Sequence, residues 1–302
     1  SRRTRGGVSL LSMAWANLGR SRGKTAVTVL SLSLAVVLLT VTVTFTQGFD
    51  MDKYVSNFTA SDFIVADAGQ FQTAAIDAQG GITGGGLVYG DTSAALEFVT
   101  EEYYRSVWSR WNTPEQLDSM VHFKDRNEEG LLADRVQLYG MEQFPLDHLT
   151  VLAGDLSKLN EPGGRYVAAV YSDDDYGQPE MESHWARLGD TVTLRYVEEY
   201  EYYNPDTGEI YGPWENVPEG ANWVDRAVKY RDIEYEVAAL VTVPMALSYR
   251  YYGADEFIMN DQTFIQDTGT DSVMYYAFDT TDEANPAMES FLADYTENVN
   301  PQ

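Results

Sequence analysis

The chain has 302 residues and a mass of 33.8 kDa, with 47 acidic against 20 basic residues and no cysteine. Without a thiol there is no disulfide scaffold, no cysteine-ligated zinc or iron–sulfur centre and no cysteine nucleophile; a net charge of −27 repels phosphate and excludes a nucleic-acid partner. An apolar fraction of 44% suffices for a packed core and excludes general disorder, and the length suits one large or two smaller domains.

The charge is unevenly distributed. Residues 1–49 hold six bases (Arg2, Arg3, Arg5, Arg20, Arg22 and Lys24) and no carboxylate, whereas residues 51–302 hold 14 bases and 46 acids. Within the basic segment Val8, Leu11, Trp15 and Leu18 recur at helical spacing. This predicts an amphipathic helix within residues 1–24, lying in the membrane interface with its bases toward anionic lipid. Gly23-Lys24-Thr25 imitates the end of a phosphate-binding loop, but Leu18 stands where the first glycine is required, so no nucleotide site is expected.

From Thr25 to Gln47 the chain runs 23 residues without a charge. At ~1.5 Å per residue this spans a hydrocarbon layer of ~30 Å. Its serines and threonines are tolerable there because a hydroxyl can bond back to a backbone carbonyl. A signal peptide has a shorter apolar run and a small-x-small cleavage site; burial in a soluble core is the remaining alternative. With every nearby base ahead of the span, the N-terminus is expected in the cytoplasm and the residues after 50 outside the cell.

Beyond the span, Asp62–Ala66 reads as a strand. Gly69–Asp91, with GGITGGG at 80–86, reads as a flexible surface loop, since no Lys or Ser/Thr follows the glycines in phosphate-loop order. Thr100 opens a helix with Glu101 and Glu102 in its first turn, and Thr113-Pro114-Glu115-Gln116 is a capping box that starts a second one, with Leu117, Met120 and Val121 facing inward. Strands follow at Arg135–Tyr139 and Tyr166–Tyr171. Thr191–Tyr196 and Ile233–Val237 alternate as half-buried strands do and bracket a long hairpin, with a turn at Asn204–Gly208 and a decorated loop from Pro213 to Trp223. Ser272–Asp279 is a further strand, and Pro286 begins a helix carrying Met288, Phe291, Leu292 and Tyr295. The expected class is α+β: a mixed α/β domain over 50–187 and 243–302, interrupted by a mainly β subdomain at 188–242.

Chemistry-bearing patterns are few. His122, His148 and His184 are widely spaced and read as surface or hydrogen-bonded histidines, not ligands. No GxSxG or SxxK motif supports a nucleophile. Asp173-Asp174-Asp175 lacks the glycine and distal glutamate of a calcium loop and reads as a solvated turn. The tyrosine runs Tyr200–Tyr203 and Tyr249–Tyr252 fit either a binding face for a peptide or amphiphile or ordinary strand packing. No catalytic residue, cofactor-binding residue or metal ligand is expected.

Several segments carry a family resemblance: Ala14-Trp15-Ala-Asn-Leu-Gly-Arg-Ser-Arg-Gly-Lys-Thr25 ahead of the span, Asp62-Phe-Ile-Val65 after it, then Gln137-Leu-Tyr-Gly140, Leu188-Gly-Asp-Thr-Val-Thr-Leu194 and Tyr235-Glu-Val-Ala-Ala-Leu-Val241. In this order they resemble the N-terminal part of an FtsX/MacB-like ABC transporter permease of Gram-positive type. The resemblance covers nearly the whole chain, though each motif is short. It implies a MacB periplasmic-core-like outer domain, three further membrane helices beyond residue 302, a separate ATPase subunit, and a second permease subunit in a homo- or heterodimer. It also implies mechanical coupling of ATP binding to the outer domain, serving export of a peptide or lipid, antimicrobial-peptide resistance or control of wall hydrolases. Two other classes remain: a single-span receptor or sensor with an extracellular ligand-binding domain, and a signal-anchored wall enzyme.

Overall fold

The computed structural model describes residues 22–48, 59–66, 73–91, 95–174, 178–244 and 255–299. The chain divides into two units, residues 1–55 and 56–302. The interfacial helix expected ahead of the span falls almost wholly outside the described residues, as do Tyr249–Tyr252 and Asp175.

Among the described residues of the first unit lies the helix α1 (Arg22–Gly48). Its stretch Ala26–Thr44 is long and apolar enough to cross a membrane, and none of it is buried. Three of its hydroxyls are satisfied internally: Thr28, Thr40 and Thr42 donate to the carbonyls of Lys24, Val36 and Leu38 at 2.8–2.9 Å. The pseudo-phosphate-loop residues Gly23 and Lys24 form the first turn of this helix.

The second unit is a mixed α/β domain. In chain order it contains β1 (Phe63–Ala66), the short α2 (Thr73–Asp77), β2 (Ile82–Asp91), β3 (Ala95–Val99), α3 (Glu101–Trp108), α4 (Pro114–Phe123) and β4 (Leu132–Met141). Next come α5 (Gln143–Asp147), β5 (Thr150–Gly154), β6 (Tyr166–Val170) and the small pair β7 (Ser172–Asp173) and β8 (Pro179–Glu180). The domain ends with β9 (Thr191–Tyr203), β10 (Ile210–Gly212), β11 (Val224–Thr242), β12 (Asp255–Asn260), α6 (Asp261–Thr268), β13 (Val273–Thr280) and α7 (Asn285–Val299).

Six strands close on themselves. β4 pairs with β12, β12 with β6, β6 with β11, β11 with β9, β9 with β3, and β3 returns to β4. The seam is the short β3–β9 contact, Ala95↔Tyr196 and Leu96↔Arg195. Side chains alternate across each strand, so one set points into this barrel. Val136, Leu138, Val167, Val192, Leu194 and Phe257 are among those that fill it. A second core lies outside the barrel wall, where Tyr139, Met141, Val170 and Ile258 pack with Leu146 of α5 and Tyr275 of β13. There β2, β13 and β1 extend the sheet from β4.

The local signals for α3 and α4 hold. Thr100 accepts from the Tyr103 amide at 3.2 Å, and Thr113 and Gln116 form the reciprocal capping box. The glycine-rich stretch departs from expectation: instead of a flexible loop, residues 82–91 form β2, a strand held between β13 and β4. Its glycines are required by close approach. A Cβ on Gly85 would lie 2.8 Å from the Tyr276 hydroxyl, and one on Gly86 would lie 2.6 Å from Cδ of Pro145. Here glycine marks crowding, a use of the missing side chain that composition does not distinguish from flexibility.

The strands of 188–242 do not keep to themselves. β9 and β11 pair along their length, but β11 also pairs in parallel with β6 and antiparallel with β5, and β9 meets β3. Their inner halves supply a third of the barrel wall, and their outer halves leave it as a ribbon.

Candidate interaction surface

Two polar clusters mark the barrel interior. Near the start of β12, Glu97, Asp134 and Asp255 are all buried on the inward face. The Trp185 indole donates to Glu97 at 2.6 Å, the Tyr103 hydroxyl to Asp255 at 2.8 Å and the Trp108 indole to Asp134 at 3.0 Å, while Lys124 pairs with Asp134 at 2.7 Å. Burial, and then the neighbouring Asp255 charge and hydrogen bond, hold the Glu97 carboxyl well above the usual range. Past the opposite end of β12, Asp267 of α6 accepts from the Tyr235 hydroxyl at 2.7 Å and from Arg165 at 2.8 Å, and Tyr235 meets the Tyr196 hydroxyl at 2.8 Å. Both clusters are internally paired and bind barrel to caps. Among the described residues, no group of three His, Asp or Glu side chains is arranged to hold a metal ion.

The histidines separate by position. His122 and His148 are exposed. His184 is fully buried: its Nδ1 accepts from the Ala186 amide at 3.1 Å, so Nε2 carries the proton and donates to the Glu256 carbonyl at 3.2 Å. Asp173 and Asp174 belong to the small β7–β8 hairpin, where the Asp174 amide donates to the Gln178 carbonyl.

The accessible feature is the ribbon, hereafter the arm. From Val197 to Asp232 no residue is buried. It nevertheless carries seven of the twelve large apolar side chains that stand exposed among the described residues of 56–302, among them Ile210, Trp214, Trp223 and Val228. The register explains the tip. Tyr202 lies opposite Asp225, two residues beyond Trp223, so Tyr202 and Trp223 share a face; Trp214, from the turn after β10, folds onto them. The three rings meet edge to face with centroids 5.1–5.5 Å apart. They pack against one another, yet Trp214 remains 53% and Trp223 42% exposed. Hydrogen bonds fix the turns around them: Asn222 donates to Asp206 at 2.8 Å and Asn204 to the Tyr211 hydroxyl at 3.1 Å.

Charge on the arm is one-sided. Its three bases are all committed: Arg226 to Glu201, and Lys229 and Arg231 to Glu198 at 2.9 and 3.0 Å. Glu209, Glu215, Glu219 and Asp225 have no such partner among the described residues and stand exposed around the aromatic tip. Thus the Tyr200–Tyr203 run does neither of its expected jobs alone: Tyr202 packs at the tip, and Tyr203 stacks under Arg226 at 5.2 Å. The two tryptophans that dominate the surface were visible in the sequence only as loop decoration.

No protein-family model matches the sequence, and no curated protein matches it. Among solved structures the chain is similar to the extracellular domain of the noncanonic ABC-type transporter YknZ from Gram-positive bacteria, at 10% identity and a TM-score of 0.33, over 71% of this chain and 74% of that one.

Proposed function

We propose that the chain is the membrane-anchored, non-catalytic permease component of an ABC-type complex, with residues 1–24 at the cytoplasmic interface, 25–47 spanning the membrane and the α/β domain outside the cell. One observation carries the reading: an uncharged helix with no buried residue separates a segment of six bases and no acids from a domain with 46 acids. That division is what the positive-inside rule produces when the acidic mass is exported. The assignment to an ABC complex, with an ATPase and a second permease subunit as partners, rests on the sequence motifs that resemble the FtsX/MacB-like family. Within residues 1–302, the helix and its preceding segment are the connection through which an ATPase acts on the outer domain.

Because the chain has no cysteine, single substitutions report topology cleanly. Ser119→Cys, exposed on α4, should react with an impermeant maleimide in intact cells, and Ser9→Cys only after lysis. The reverse pattern would overturn the orientation. For the complex, the full-length protein is purified from its own cells in mild detergent. A P-loop ATPase should co-purify in stoichiometric amount, and its absence, or a histidine kinase in its place, would overturn the ABC assignment.

A further inference from the structure

We propose that the arm is a docking element for a partner polypeptide presenting a basic face with aromatic or aliphatic side chains. The inference stands apart from the ATPase coupling proposed above and rests only on the arm's own geometry. A ribbon of two long strands is marginal in water without a full third strand or a covering layer; here only the three-residue β10 pairs with β9 near the tip, and no residue from Val197 to Asp232 is buried. It still spends two tryptophans and five tyrosines on its tip and strands, residues that hot spots favour and bare surfaces do not. The turns that hold them are built, not slack: Tyr211, Asn204, Asn222 and Asp206 are joined by hydrogen bonds, and Gly208 takes the left-handed conformation that closes the first turn.

Charge selects the occupant. All three bases of the arm are neutralised by its own glutamates, whereas Glu209, Glu215, Glu219 and Asp225, exposed in the turns and strand ends that carry the tryptophans, have no counterion among the described residues. A second copy would bring the same four carboxylates against these, and an anionic lipid surface would be repelled in the same way. A basic partner supplies the missing charge, while its apolar groups cover Trp214 and Trp223.

The test uses the full chain in nanodiscs of zwitterionic lipid, with empty nanodiscs subtracted. The probe is a peptide of repeated Lys-Tyr-Gly units, compared with the same peptide carrying Glu in place of Lys. The lysine peptide should bind and the glutamate peptide should not. Trp223→Ala should weaken binding about tenfold or more. Because that variant also loosens the tip, the triple variant Glu209→Lys/Glu215→Lys/Glu219→Lys, which touches only exposed carboxylates, is measured beside it and should weaken binding about a hundredfold. A second triple variant, Glu161→Lys/Glu283→Lys/Glu289→Lys, makes the same change of net charge elsewhere on exposed positions and should stay within about twofold of the parent. Equal losses in the two triple variants would reduce the effect to bulk charge and overturn the proposal. So would equal binding of the glutamate peptide, no binding of either peptide, or displacement of the bound lysine peptide by chitohexaose, which would identify the tip as a sugar platform.

Discussion

Residues 188–242 can be cut at two places, and the structure assigns the cuts opposite outcomes. Replacing Leu188–Thr242 by a Gly/Ser linker removes eight large buried side chains, from Val192, Leu194 and Tyr196 on β9 to Ile233, Tyr235, Val237, Leu240 and Val241 on β11. At about 1.5–3 kcal/mol each, that is on the order of 15 kcal/mol, as much as a whole domain's stability. It also opens the barrel, leaving β3 and β6 with unpaired edges facing a core that has lost its other half. Replacing only Glu198–Lys229 by Asn-Gly removes no buried residue and joins Val197 to Tyr230, which already face each other. Shortening that connection from about thirty residues to two favours folding by about 2 kcal/mol of loop entropy. Both variants of the full chain are unfolded with urea in mild detergent, following the fluorescence of Trp185, whose indole is fixed on Glu97 in the barrel. The arm deletion should keep a cooperative transition at or above the parental midpoint, and the larger deletion should show none. A cooperative transition in the larger deletion would mean that the barrel is not a single closed core, and the reasoning would fail.

Glu97→Gln should stabilise the domain at neutral pH. The raised carboxyl of Glu97 contributes stability that is present below its ordinary value of 4.5 and lost as pH rises toward its folded value, so the glutamine variant should match the parent at pH 4 and melt higher at pH 8, with a flatter pH profile; a variant that loses more stability at pH 8 than at pH 4 would refute this. Gly154 and Gly208 share a left-handed conformation, φ +86° and +74°, but a Cβ on Gly154 would press on the Ala238 carbonyl and sit 2.9 Å from Cα of Ala239, whereas Gly208 has open space. Gly208→Ala should therefore cost about 1–2 kcal/mol in urea unfolding and Gly154→Ala clearly more; equal costs would sink the packing account. Thr113→Ala, which removes the cap of α4, should cost about 1 kcal/mol by the same measurement.

What the sequence determined by itself was whatever is encoded locally. The apolar run of α1, its flanking charge, the capping box of α4 and the alternation in β9 and β11 each depend on residues within a few turns or strand lengths of one another, and each is where the pattern placed it. Short buried elements carry no such period. β12, Asp255–Asn260, is buried at five of its six positions, and α6 follows it at once, so neither alternation nor amphipathicity announces either one.

Tertiary structure alone decided the rest. It made β2 from a glycine run, because Tyr276, Phe278 and Pro145 come too near for any side chain at Gly85 and Gly86. It placed Glu97 beside Asp255, residues 158 positions apart, by closing six strands into one wall. And it left Trp214 and Trp223 outside, since β9 and β11, whose connecting segment carries them, run past the point where the barrel has neighbours to offer. Each depends on which distant segments meet, and register and closure are set by the whole core and not by any window of the chain.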